Sequence, residues 1–396
     1  MRTNKIYERD SYISEFDATV LACCEAKNNC YEIILDSTAF FPEGGGQKSD
    51  VGMIGAAKVY DVQIVDDEII HYAGSGVAVG EKLHCSIDWK LRFSRMQNHS
   101  AEHILCGLIH NRFGYDNSGF HIDGDEVTFD MNGPMTGEEI AEIELLANKV
   151  VYENVPIIIS FPAPEELANL SYRSKLDLTE GVRLVTIEGY DVCACCAPHV
   201  ARTGDIGVIK IIDSFPHRGG VRFVMKAGES ALADYIMLDS NAKRSMAVLS
   251  AKRCETAEFT AELSRKNREL ATCVVELKNE ITRLYTQKAI AKLNSLSEEE
   301  PALLIFTEGL DEVQMRNIIN ECTLRTNRIV GGFMGNDEEG YRFIISRNKA
   351  GEGIALPALA KKMREEINAQ GGGSDLMIQG KIALSQNETE QFFKLI

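Results

Sequence analysis

The stretch His99-Ser100-Ala101-Glu102-His103 decides how the rest of the chain is read. Two imidazoles four residues apart lie one above the other on a helix face. A second pair repeats the spacing in Cys195-Cys-Ala-Pro-His199. Two nitrogens from one element, with a sulfur and a nitrogen from another, form a ligand set that suits zinc. The spacing predicts a helix from about Ser94 to Phe113, ending before Gly114. Ala101, Ile104, Leu105, Leu108 and Ile109 give it an apolar stripe, and His99 and His103 lie beside that stripe, facing protein. A lone histidine there reads as a core residue; the paired spacing and the second pair elsewhere point to a metal. His71, His84, His110, His121 and His217 have no such partner and read as structural.

The chain has 396 residues, long enough for two or three domains, and is 44% hydrophobic, as folded soluble proteins are. No apolar run reaches membrane-spanning length, and the segment from Met1 to Asp10 is polar and mixed in charge. No membrane association is expected. Eleven cysteines without a secretion signal argue for reduced thiols in the cytoplasm. The net charge of −17 disfavours non-specific nucleic-acid binding, so a nucleic-acid partner requires a local basic cluster. Arg218, Arg222 and Lys226 around Gly219-Gly220 form one, and also fit an ordinary solvated hairpin.

Outward from the first pair, Tyr31–Leu35, Lys58–Ile64, Glu68–Tyr72 and Leu83–Asp88 read as strands of a small N-terminal barrel or sandwich. Phe41-Pro-Glu-Gly-Gly-Gly-Gln47 lies within it, either a barrel corner or a place for close approach of another chain. Gly137–Tyr152 reads as a helix, and Pro156–Phe161, Arg183–Glu188, Ile206–Ile212 and Val221–Lys226 as strands. Cys195–His199 sits in a loop stiffened by Pro198. A heptad follows, with Thr260, Asn267, Val274 and Ile281 at a and Leu263, Leu270, Leu277 and Leu284 at d. It predicts a coiled coil, either a parallel dimer registered by Asn267 or a hairpin with the preceding helix. After Glu298-Glu-Glu-Pro301, alternating strands and helices predict a small α/β domain containing Gly371-Gly-Gly373, read as a Gly-rich turn after a helix.

Together these motifs resemble the editing half of alanyl-tRNA synthetases and, above all, the free-standing AlaX-type alanyl-tRNA editing proteins. Phe41–Gln47 followed by Asp50 resembles the family's Gly-rich signature, and His99–His103 and Cys195–His199 its H-x-x-x-H and C-x-x-x-H. Thr203-Gly-Asp-Ile-Gly207, Gly220-Val-Arg222 and Gly371–Gly373 follow in the family's order, the last resembling its DHH-associated domain. The resemblance implies a multidomain α+β protein. Its parts are an N-terminal β-barrel (1–92), a zinc-binding editing core (93–228), a helical coiled coil (229–297) and a C-terminal α/β domain (298–396). It implies hydrolysis of tRNA(Ala) mischarged with serine or glycine, without the adenylate-forming domain and without ATP use. Homodimerisation would run through the coil and the C-terminal domain. Zn2+ would be held by His99, His103, Cys195 and His199, with His199 the labile ligand and Cys196 a rival to Cys195. Gln47 and Gly44, Gly45 and Gly46 would line the substrate pocket. Arg222, Gly371, Gly372 and Gly373 would contact tRNA. Glu102 either moves a proton at the site or is exposed on the far side of the helix. Ser118 is a candidate for the serine hydroxyl. The family's Gly-Gly-Thr between Cys and His is Cys196-Ala197-Pro198 here, and Cys193 is an addition.

Two other functions remain open from sequence. His99-Ser-Ala-Glu102-His103 also fits the H-x-x-E-H pattern of a metalloprotease with Glu102 as base. A non-catalytic tRNA-binding adaptor with structural zinc is the third.

Overall fold

The computed structural model describes residues 3–26, 30–123, 126–174, 181–349 and 355–396. The chain divides into two units, Met1–Arg244 and Ser245–Ile396. Among the described residues it is a mixed α/β protein in which several sheets are combined with eight α-helices.

The first unit opens with β1 (Asn4–Lys5), β2 (Glu15–Glu25), β3 (Tyr31–Leu35), β4 (Ser37–Thr38), β5 (Gly52–Ile54), β6 (Ala57–Val65), β7 (Glu68–Ala73) and β8 (Lys82–Ile87). β1 pairs in parallel with β4. The other six form antiparallel ladders in the order β2-β3-β7-β6-β5-β8 and return to β2. Alternate residues such as Ile33, Leu35, Val59, Val62 and Ile69 point inward with Phe40 and Phe41. Strand β2 escapes the sequence pattern because its buried alternation extends only over Ala18 and Val20.

Helix α1 (Trp89–Phe113) starts five residues before the expected Ser94. Its start signal is Asp88, whose side chain accepts from the Leu91 amide at 3.1 Å. Gly114, at φ 71°, ends it. α1 packs against α2 (Gly137–Glu153), which a Thr136–Glu139 capping box starts. Strands β9 (Asn117–Asp123), β10 (Glu126–Met131), β14 (Ile209–His217) and β15 (Gly220–Ala227) form an antiparallel sheet in the order β14-β15-β10-β9. β14 begins later than expected because Thr203–Ile206 forms a 3-10 turn closed by Gly207. β11 (Ile157–Ser160), β12 (Leu184–Ile187) and β13 (Asp191–Ala194) form a third sheet, with α3 (Pro164–Leu167) in the connection from β11 to β12. α4 (Glu229–Leu249) follows.

The second unit contains α5 (Thr256–Ser295), β16 (Ala302–Thr307), α6 (Glu312–Thr323), β17 (Ile329–Asn336), β18 (Gly340–Ser346), α7 (Leu356–Ile367), β19 (Gln370–Gly373), β20 (Met377–Ile382) and α8 (Gln386–Lys394). Its sheet runs β16-β17-β18-β20-β19, with the first pair parallel and the rest antiparallel. Ala289 and Leu293 of α5 pack with α6 on one face of the sheet. α7 and α8 cover the other with Leu359, Met363, Phe392 and Phe393.

Gly371–Gly373, read from sequence as a turn, is instead part of the edge strand β19. A Cβ on Gly371 or Gly373 would lie 2.2 Å from a carbonyl oxygen of β20, so glycine permits the close pairing. The heptad residues Leu263, Leu270, Leu277 and Leu284 lie on α5, each more than half exposed within the single chain.

Candidate metal centre

Four donors converge in the first unit: the ring nitrogens of His99, His103 and His199 and the sulfur of Cys195, all within 4.8 Å of one another. α1 supplies the first pair, and the loop after β13 supplies the second. The Cys195 sulfur lies 3.3 Å from His199 Nε2 and 3.6 Å from His99 Nε2. Cys195, and not Cys196, is thus the cysteine grouped with the three imidazoles. The Cys196 sulfur turns toward Gly44 and Gly45 instead.

The Nδ1 atom of each imidazole is held from behind. His99 Nδ1 donates to Gln47 Oε1 at 2.9 Å, and His103 Nδ1 donates to Asp191 Oδ2 at 3.0 Å. His199 Nδ1 lies 3.0 Å from the Ser100 hydroxyl, which also accepts from the Val200 amide at 3.3 Å. A ring engaged through Nδ1 presents its Nε2 on the opposite side, and the three rings share one centre. Asp191 is itself gripped by Arg173, with Nε at 2.7 Å and Nη2 at 2.9 Å. Gly107 in α1 makes this approach possible: a Cβ there would meet the Tyr190 carbonyl at 2.5 Å and Asp191 Cβ at 2.8 Å.

Burial by itself would raise the Cys195 thiol, but His99 and His199 close by and hydrogen bonds from His103 and His199 hold it well below the ordinary thiol range. Burial pushes His199 down to about 3. Burial also acts to lower His103, yet Cys193 and Asp191 raise it well above the ordinary imidazole value. A thiolate prone to form among imidazole nitrogens is a set that can hold a metal ion.

The centre borders a cavity of about 1010 Å³ lined by His99, His103 and Cys195, with Glu102, Asn117 and Arg173 among its other walls. His199 lies outside that lining. Of the Gly-rich segment, Gly45 alone lines the cavity. Gly44 and Gln47 close a turn with two backbone bonds of 3.0 Å, and Gly45 and Gly46 take φ +60° and +85°, which favour glycine. A Cβ on Gly46 would strike the Phe120 carbonyl at 2.4 Å. The expectation that Gln47 faces substrate is therefore corrected. It is fully buried and spends its carbonyl on His99.

Glu102 is also corrected: it is not on an exposed far side but 5% exposed. Its Oε1 accepts from Asn117 Nδ2 at 2.6 Å and from the Cys106 thiol at 3.3 Å. Ser118 is exposed and outside the cavity lining, whereas its neighbour Asn117 lines it. Arg222 lies on β15 with its fork closed on Asp130 at 2.6 and 2.7 Å, and Lys226 pairs with Asp234 at 3.1 Å. Sequence reasoning missed Asp191, Ser100, Arg173 and Asn117. Each acts across the fold, and no local spacing announces it.

Residues 182–230 match the family described as the Threonyl and Alanyl tRNA synthetase second additional domain, and residues 12–91 match tRNA synthetases class II (A). The chain is 25% identical to the alanyl-tRNA editing protein AlaX-L of Pyrococcus horikoshii, across 97% of this chain and 96% of that protein. It is 30% identical to the alanine–tRNA ligase of Pyrobaculum neutrophilum, across 96% of this chain and 43% of the ligase. The ligase of Ignicoccus hospitalis is 36% identical over 237 residues, 55% of this chain and 25% of the ligase. The chain thus spans less than half the length of these two ligases.

Proposed function

We propose that the chain is an alanyl-tRNA editing protein, like the AlaX-L protein it resembles along its length, and that it hydrolyses tRNA(Ala) mischarged with serine or glycine, acting in trans in the cytoplasm. The observation that carries this reading is the convergence of His99, His103, Cys195 and His199 beside a cavity of about 1010 Å³. The donors fit Zn2+: tetrahedral zinc keeps nitrogen and sulfur ligands about 3.5 Å apart, and the Cys195 sulfur lies 3.3 and 3.6 Å from two of the nitrogens. His99, His103, Cys195 and His199 would hold the ion.

Zinc held there supplies Lewis acidity next to the ester that joins the amino acid to the terminal ribose. The chain's own part is preorganisation. Gln47, Asp191 and Ser100 lock the three imidazoles, so the site need not rearrange when substrate arrives. Gly45 puts slim backbone on the cavity wall, where an acylated 3′ end must pass. Contacts of tRNA with the partly exposed Arg222 and with Gly371–Gly373 belong to this reading. So do the four-part organisation at 1–92, 93–228, 229–297 and 298–396 and pairing of two chains through the heptads of α5.

Replacing His103 or Cys195 with alanine should abolish release of serine from Ser-tRNA(Ala) while tRNA binding survives. Retained activity in the metal-stripped double variant overturns the proposal. A second reading draws on the completeness of the donor set, because four protein ligands are what a structural metal takes. A fully metal-loaded protein that turns over no aminoacyl-tRNA would make the chain a tRNA-binding adaptor.

A further inference from the structure

Buried Glu102 and half-buried Asn117, both in the cavity wall, have no part in holding the imidazoles. Glu102 offers a carboxylate from one turn of α1. Its two bonded neighbours, Asn117 and Cys106, are neutral donors. Among the described residues no basic side chain pairs with it within 4.0 Å. A carboxyl group whose bonded partners are both neutral leaves room on the cavity side for a further donor group.

Asn117 adds direction. A carboxylate only accepts hydrogen bonds, so the Asn117 amide nitrogen must face Glu102, which leaves Oδ1 as the unengaged end. That oxygen is buried and has no hydrogen-bond partner. An acid and a neutral acceptor therefore stand side by side on one cavity wall. They complement a group that carries positive charge and several donors, as a primary ammonium does. An aminoacyl ester carries such a group one carbon from the carbonyl to be attacked.

We infer that Glu102 and Asn117 bind the α-ammonium of the aminoacyl group, an inference that rests on the deacylase reading above. The pair is blind to the amino acid's side chain and reads only whether the amine is free. Esters with an acylated amine, as on a tRNA carrying a peptide, lack the cation and are refused.

The test compares seryl-, glycyl- and N-acetylseryl-tRNA(Ala) with the metal-loaded full chain, Glu102→Gln and Asn117→Leu. Hydrogen bonds to charged groups set the scale at roughly 10- to 100-fold. The wild type should cleave the N-acetyl ester slower by that factor in kcat/KM. Glu102→Gln should lose the same factor on seryl and glycyl esters alike while leaving the N-acetyl ester unchanged, so that discrimination collapses. Asn117→Leu, which retains the carboxylate, should shift the same way by a smaller factor. Circular dichroism and metal content of each variant check that fold and centre persist. Equal wild-type rates on free and acetylated seryl esters overturn the inference and leave the deacylase standing. A Glu102→Gln loss confined to the seryl ester also overturns it, assigning the pair to the side-chain hydroxyl. No cleavage of any ester removes the deacylase reading and this inference together.

Discussion

Asp191 is the residue on which the centre's geometry turns, since it links His103 to Arg173. Asp191→Asn preserves size and removes the charge that aligns the imidazole. Metal affinity should fall about 10- to 100-fold, as it does when such outer partners are lost. Competition with a chromogenic chelator measures it, and unchanged affinity would mean that His103 needs no such support. The two neighbouring thiols should separate in the same assay. Cys195→Ser should lose the ion, while Cys196→Ser should retain it, because the Cys196 sulfur turns toward Gly44 and Gly45. The family's Cys-to-His spacing favours Cys195, and after β13 it is the Cys195 sulfur that stands among the imidazoles.

At the level of elements, α1 is tied to the strands before it by a buried ion pair. Arg92 grips Asp50, and donates to the Ser11 carbonyl at 3.1 Å and the Ala39 carbonyl at 2.5 Å. Asp50 in turn accepts from the Phe41 amide at 2.6 Å and so holds the entry to the Gly-rich turn. Arg92→Met leaves that carboxylate buried without its guanidinium partner, and should cost about 3–5 kcal/mol in denaturant unfolding. A loss below about 1 kcal/mol would show that Asp50 finds other partners. The six-strand sheet carries its own pH response. His71 is buried, bonded to Thr38 Oγ1 at 2.8 Å and to the Ile33 carbonyl at 3.0 Å, and burial lowers its pKa from 6.5 to about 4. Between those values the unfolded chain binds a proton that the folded chain does not. Stability is therefore full above pH 6.5 and declines toward pH 4, by about 3 kcal/mol at most. Thermal melts of the wild type and His71→Gln over that window should differ in slope; parallel profiles would assign the acid sensitivity elsewhere.

For the whole molecule, the open question is how many chains act together. Leu263, Leu270, Leu277 and Leu284 expose an apolar stripe along a 40-residue helix, and Asn267 sits among them. If two such helices pair, Leu270→Lys with Leu277→Lys should convert a dimer to a monomer in sedimentation velocity. A wild type that sediments as a monomer would end the pairing hypothesis. No described helix is long and apolar enough to cross a membrane. The sequence alone marked out the elements with long periodic stripes, α1, α2 and α5, and the two i, i+4 pairs of His and Cys, because each of these signals is written into neighbouring positions. It passed over β2, β9, β10 and β13, strands too short or too briefly alternating to stand out by themselves, and mistook Gly371–Gly373 for a turn. Only the tertiary structure decided that Gln47, Ser100 and Asp191 stand behind the imidazoles, that Arg222 is paired with Asp130, and that Glu102 and Asn117 share a cavity wall. Those contacts join residues up to 99 positions apart, brought together by the packing of α1 against the strands and loops around it and, for Arg222 and Asp130, by the pairing of β15 with β10.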